Sequence, residues 1–340
     1  MKAMSHTYVL FFFAAFLFTG CSPATLQAAT TQHTIDSISE LSEIWSLNNV
    51  FITQERFGPM TGATTGRFCF LGNLSNQAKL KVICLSSISG DALWEQVSNN
   101  ASSAFAISPK GVFLGSSGIA DIVRYNLDGN YIWDESFTGN GVIRIYVVDN
   151  EVQVFNHPEK LRIFNVETGE LNKKIEGDTI FIATETEKFI YTYNLQSIET
   201  NTGKTKWETD ISGPMRMSPL FTQDIIFARE GEIMGRTYAI SRATGKTLWK
   251  TNDNIISNIA DSPEKERIYL LTRDGELLSV DKKSGVVSIL IQFTNTPFIL
   301  NGEQQVGGYE VAYDDSTNIV FVTLGDSRQL FAFQEKQSNQ

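Results

Sequence analysis

Cys69 and Cys84 stand in RFCFLGNL and LKVICLSS, two β-like runs on either side of the turn-like SNQA. A hairpin centred on Asn76-Gln77 sets these cysteines opposite each other. A disulfide there would close a loop of about 15 residues, worth about 3 kcal/mol in the chain-entropy model. Two buried thiols are the alternative, because cross-strand geometry is often strained. The three histidines, His6, His33 and His157, are scattered, and His157 is expected in a loop before Pro158. The chain has no HExxH, no Cys-x-x-Cys, no phosphate-cradling glycine loop and no G-x-S-x-G elbow. Asp261 and the pair Asp314-Asp315 read as acidic loop positions. Such carboxylates can hold calcium at a channel mouth, but exposed acidic turns are their commoner use. No residue is nominated as catalytic, cofactor-binding or metal-binding.

Cys21 points to a different chemistry. Lys2 precedes an apolar run, Tyr8 to Phe18, which as a helix would span about 16 Å, too short for a bilayer core of about 30 Å. A basic start, a short apolar run and small residues after it describe a secretory signal. Thr19-Gly20-Cys21 resembles a bacterial lipobox, whose cysteine becomes the lipidated first residue of the mature chain. Residues 1–20 are therefore expected to be a lipoprotein signal peptide, and residues 21–38 the lipidated cysteine and a flexible tether. Ser22 after the cysteine is compatible with sorting to an outer membrane. Lys2 is the only charged side chain in residues 1–20, so their removal takes the net charge from −10 to −11. That acidity argues against nucleic acid and against an electrostatic hold on anionic lipid.

The remaining sequence is organised by a repeat. Aligned on one glycine, it reads SGDALW (Gly90, Trp94), DGNYIW (Gly129, Trp133), TGELNK (Gly169), TGKTKW (Gly203, Trp207), TGKTLW (Gly245, Trp249) and SGVVSI (Gly285). The glycines recur at intervals of 34 to 42 residues, a period that indicates stacked β units. Four of the five tryptophans lie four residues after a repeat glycine, and the fifth is Trp45 in SEIWSL. Lys173 and Ile289 occupy the tryptophan place in the other two units.

Each unit contains three β-rich runs, such as RIYLLT, LLSVD and VVSILI, whose apolar residues alternate as half-buried strands do. The link glycine supplies the positive φ of a hairpin turn. Short serine- or proline-bearing segments at 101–109, 215–222 and 255–263 supply a fourth, inner strand. Four strands in about 40 residues make a propeller blade, and blades must stack into a ring to bury both faces. A tryptophan repeated in each blade would then fill each seam. The expected fold is all-β: a β-propeller of about seven four-stranded blades over residues 39–340. An eighth would have to lie in 51–66. The last unit, 311–333, lacks its outer strand, and residues 38–47 with Trp45 would supply it, closing the ring.

These link-and-tryptophan motifs, TGKTKW and TGKTLW above all, resemble the pyrroloquinoline-quinone-type propeller repeat, across most of residues 39–333. The resemblance implies one of two kinds of protein. Quinone-dependent dehydrogenases carry an adjacent cysteine pair, a calcium site and a catalytic aspartate. Cofactor-free envelope lipoproteins include the B subunit of the outer-membrane barrel-assembly machinery. This chain has no adjacent cysteines, and its export signal and Cys21 suit the second kind. That implies a non-enzymatic, exported, membrane-anchored scaffold in the periplasm, without cofactor, whose partners are other envelope proteins, such as a β-barrel assembly complex. The alternative is a small-molecule-binding or enzymatic propeller using its axial channel, lyase-like, lactonase-like or quinone-dependent.

Overall fold

A computed structural model describes residues 35–38, 40–53, 59–74, 79–98, 102–116, 121–137, 140–157, 160–176, 180–184, 187–191, 194–209, 211, 218–231, 235–252, 254–293, 308–325 and 327–336. The expected signal peptide, Cys21 and the tether up to residue 34 lie outside them, as does the SNQA turn.

The described chain is built of strands in seven antiparallel sheets. It begins with β1 (Ile35–Ile38) and β2 (Leu41–Asn48). Blade one contains β3 (Phe51–Ile52), β4 (Thr61–Thr64), β5 (Arg67–Asn73), β6 (Lys81–Ser86) and β7 (Ala92–Val97). Blade two contains β8 (Ser102–Ser108), β9 (Gly111–Ser116), β10 (Asp121–Tyr125) and β11 (Tyr131–Ser136). Blade three contains β12 (Asn140–Val148), β13 (Glu151–His157), β14 (Lys160–Asn165) and β15 (Leu171–Glu176). Blade four contains β16 (Ile180–Ala183), β17 (Glu187–Tyr191), β18 (Leu195–Glu199) and β19 (Thr205–Glu208). Blade five contains β20 (Leu220–Phe221), β21 (Ile225–Arg229), β22 (Thr237–Ser241) and β23 (Thr247–Lys250). Blade six contains β24 (Ala260–Ser262), β25 (Arg267–Leu271), β26 (Glu276–Asp281) and β27 (Val287–Phe293). Blade seven contains β28 (Glu310–Asp314), β29 (Ile319–Leu324) and β30 (Gln329–Glu335), with β2 as its outer strand.

Residues 51–66 add no eighth blade, because β3 and β4 both pair with β5. The ring closes through β2, which runs antiparallel to β30 from Leu41 opposite Glu335 to Asn48 opposite Gln329. Four residues assigned to the tether differ from expectation. Residues 35–38 are β1, a fifth strand on the outer edge of blade six, with Ile35 opposite Phe293. Pairing there covers part of an edge that would otherwise present unpaired backbone groups. His157 ends β13 rather than lying in a loop.

The second strands also depart from simple alternation. β21 and β29 are buried at every position, because each blade packs against neighbours on both faces, as a strand covered on two sides must. Apolar clusters occupy the seams between blades. Phe68, Phe70, Phe321 and Leu330 join blade seven to blade one. The smallest among the described residues, Phe155, Leu161, Ile163 and Ala183, joins blades three and four.

Candidate functional site

The repeat residues meet across the seams. Trp45, Trp94, Trp133, Trp207 and Trp249 each lie over the link glycine of the next blade: Gly90, Gly129, Gly169, Gly245 and Gly285 respectively. A Cβ on any of these glycines would come within 2.6–2.8 Å of the indole. Each indole Nε1 also donates to a carbonyl in the same link, at Ser87, Leu127, Val166, Arg242 and Lys282, over 2.8–3.0 Å. One side chain thus fills the seam and satisfies a turn carbonyl.

The remaining repeat glycine breaks the pattern. Gly203 has nothing within 4 Å of its Cβ position, because Lys173 stands where the preceding blade would supply tryptophan. The same seam has the smallest apolar cluster among the described residues. A different clasp spans it: buried Gln153 donates from Nε2 to Ala183 O at 2.6 Å and accepts from Ala183 N at 2.9 Å. Nothing local in VQVF marks that glutamine in the sequence.

Cys69 and Cys84 face each other across β5 and β6 and are joined by a disulfide, with Cα atoms 4.0 Å apart. Both are fully buried in the seam with blade two, among Leu71, Val82, Phe105 and Leu114.

Two acidic residues on β28 stitch the last blade to the first. Glu310 accepts Met60 N at 2.9 and 3.0 Å and Thr61 Oγ1 at 2.6 Å. Burial pushes its carboxyl up to about 7, against the lowering effect of those hydrogen bonds. Asp314 accepts Gly66 N at 2.9 Å and Ser87 Oγ at 2.7 Å. The expectation of an exposed acidic turn therefore fails for Asp314, which is fully buried. Asp261 lies in β24 and not in a loop, with Lys282 Nζ 2.5 Å from its Oδ1. Among the described residues, no three His, Cys, Asp or Glu side chains group so as to hold a metal ion. None of their helices is long and apolar enough to cross a membrane.

The ring axis holds an open-mouthed cavity of about 340 Å³, walled, among the described residues, by six of the seven blades. Its lining is largely apolar, with Arg144, Tyr146, Asn258 and Asp261 as its main polar members. Side chains of the outer strands are more exposed. Leu248, Val287 and Ile289, with Val286 just before β27, present apolar surface on blades five and six, 47–65% exposed.

Fold and seams together define a seven-bladed propeller of the pyrroloquinoline-quinone-like type. Residues 173–297 match the family model described as outer membrane protein assembly factor BamB. The crystal structure of BamB from Moraxella catarrhalis is similar, with a TM-score of 0.52 and 14% identity, covering 89% of this chain and 100% of that one. At that identity the likeness is one of fold, and the propeller is BamB-like. No curated protein matches the sequence.

Proposed function

We propose that this protein is a non-enzymatic envelope lipoprotein, anchored through Cys21, whose propeller serves as a protein-interaction scaffold in outer-membrane protein assembly. The observation that carries this reading is the match of residues 173–297 to the assembly-factor model. The repeat residues support it, because they are spent on seams: each tryptophan packs a glycine and holds a turn carbonyl. Fold alone does not assign function, so the weight rests on that match and on the lipobox-like TGC at 19–21. In this reading the adjacent cysteine pair of the quinone enzymes has no counterpart, since Cys69 and Cys84 are 15 residues apart. The exposed apolar residues Leu248, Val286, Val287 and Ile289 lie inside the matched segment, and exposed apolar surface is a common mark of a docking face.

The test is crosslinking in whole cells followed by purification from membranes. The expected result is co-purification of a β-barrel assembly component, reduced when Leu248 and Ile289 are changed to serine. Fractionation of a Cys21→Ser variant should move the protein from the membrane pellet to the soluble fraction. A pellet unchanged by that substitution would sink the lipoprotein part, and no envelope protein captured would sink the scaffold part.

A further inference from the structure

The outer strand of blade two carries a pair of side chains that the fold does not require. β11 is bulged at Ile132, so that Trp133 lies opposite Arg124 and Tyr131 opposite Tyr125. A bulge re-aims the side chains beside it. Tyr131 and Asp134, three residues apart, thereby come to one face, where the Tyr131 hydroxyl donates to Asp134 Oδ1. The outer strands of blades one, three and five carry the same bulge. There the two places hold Ala92 and Glu95, Leu171 and Lys174, and Thr247 and Lys250. Neither the ring nor its seams depend on a tyrosine and an aspartate at these positions.

The pair walls an open hollow of about 260 Å³, between the end of β7 and the face of β9, β10 and β11. Leu114 and Val123 line it together with Tyr125, Tyr131, Asp134 and Ser98. Tyr125 leans on Trp94, with ring centroids 6.3 Å apart, and Tyr131 is 57% exposed. The volume lies below the range of about 300–1,000 Å³ typical of small-molecule sites. It has room for one inserted side chain.

The charge around the hollow is one-sided. Residues 82–143 hold six acidic side chains against two basic ones, Lys110 and Arg124. Both of these are drawn to Glu167 on blade three. Glu95 pairs with Lys81, and Asp128 with Arg67. Asp134 has only the neutral Tyr131 hydroxyl among the described residues, and no Lys, Arg or His is among those that line the hollow. Tyr125 stays neutral, since burial and then Asp134 push its phenol up. A carboxylate beside two aromatic rings attracts a cation. A guanidinium suits it best, because its plane stacks on a tyrosine ring while its N–H groups donate to the carboxylate. A compact ammonium is more strongly hydrated and gains less there.

We propose that this hollow takes an arginine side chain from a basic segment of a partner protein, its guanidinium on Asp134 and against the Tyr131 ring. The source of that arginine, a partner in the envelope, rests on the scaffold reading. The preference of the hollow itself does not, and it lies outside residues 173–297 and away from Leu248 and Ile289.

A chemical-shift titration of the isotope-labelled protein with Nα-acetylarginine methylamide tests it. Backbone amides of β10 and β11 should shift and saturate with a Kd of about 1–10 mM. The citrulline analogue, neutral and of nearly the same shape, should leave them unmoved. The lysine analogue should bind at least roughly threefold more weakly. Asp134→Asn should weaken the arginine compound by about tenfold, and Tyr131→Leu by roughly threefold. Both side chains are exposed, so both variants should keep the melting transition. No shift at about 50 mM of the arginine compound would overturn the proposal. So would equal shifts with citrulline, equal affinity for lysine, or unchanged affinity in Asp134→Asn. Capture of an assembly component in whole cells alongside such a failed titration would leave the scaffold standing and remove this pocket alone.

Discussion

Trp207 and Gly245 make one joint across the seam of blades four and five. A Cβ on Gly245 would sit 2.6 Å from Trp207 Cε3, and the indole Nε1 donates to Arg242 O at 2.8 Å. Gly245 has φ of +72° and Gly203 has +70°, but only Gly245 lies beneath an indole. The two glycines therefore separate two costs. Gly203→Ala should lose only the left-handed strain, about 1–2 kcal/mol. Gly245→Ala should lose that and a further 1–3 kcal/mol, roughly, from overpacking against the ring. Urea unfolding of the two variants measures the difference. Equal losses would mean that the indole yields at no cost.

The tryptophan itself is expected to matter more than its turn. Trp207 is 8% exposed and packs on Phe189 with ring centroids 5.9 Å apart. Trp207→Ala should cost about 3–5 kcal/mol, the range for large aromatic truncations. A complementary gain is available at the seam that lacks this ring. Lys173→Trp should place an indole over the open Gly203 and raise stability by about 1 kcal/mol or more. Chemical denaturation decides it, and a loss of stability in Lys173→Trp would show that the glutamine clasp of that seam excludes the ring.

These joints explain how much of the fold could be read in the chain itself. The glycine and the tryptophan of one unit are four residues apart, so their register is visible even though each partners a different blade. Trp45 could be placed in the last blade for the same reason, since SEIWSL carries the outer-strand pattern. Glu310 could not, because its partner Thr61 is 249 residues away and a glutamate within the strand run YEVAY has no local signature. Nor could β1, since IDSI is too short to announce a strand and its partner lies on blade six. Gln153 was hidden likewise, as its clasp depends on a backbone segment in another blade.

Glu310 makes stability depend on pH. Its carboxyl, ordinarily at 4.5, is pushed up to about 7 by burial, and its hydrogen-bond donors Met60 and Thr61 are uncharged. The folded protein thus holds this proton more tightly than the unfolded chain. The resulting stabilisation is fully present below pH 4.5 and is lost as pH rises through about 7. Its size is up to about 3 kcal/mol. Glu310→Gln, neutral and of similar shape, should flatten this part of the stability profile and leave the variant the more stable form above neutrality. Melting curves at a series of pH values test it, and identical slopes for both proteins would refute it.

Ring closure is the strongest test of the architecture. β2 supplies the outer strand of blade seven, with Leu41 fully buried and Trp45 tilted against Phe321, ring centroids 5.8 Å apart, while its indole donates to Ser87 O at 2.9 Å. The same ten-residue region thus completes one blade and pins it to the next. Without it, β30 would expose an unpaired edge beside an open seam, a template for aggregation. The carboxylates of Glu310 and Asp314 would still reach blade one, but polar stitches cannot replace the apolar surface that Leu41 and Trp45 cover. Deleting residues 39–48 should therefore give an aggregated or unfolded product, whereas deleting 24–34 should leave the melting temperature unchanged. Light scattering and thermal melts of both variants distinguish the outcomes. A monomer with an unaltered melting temperature after the 39–48 deletion would mean that the propeller closes within its remaining strands, and that β2 is a strap and not a structural strand.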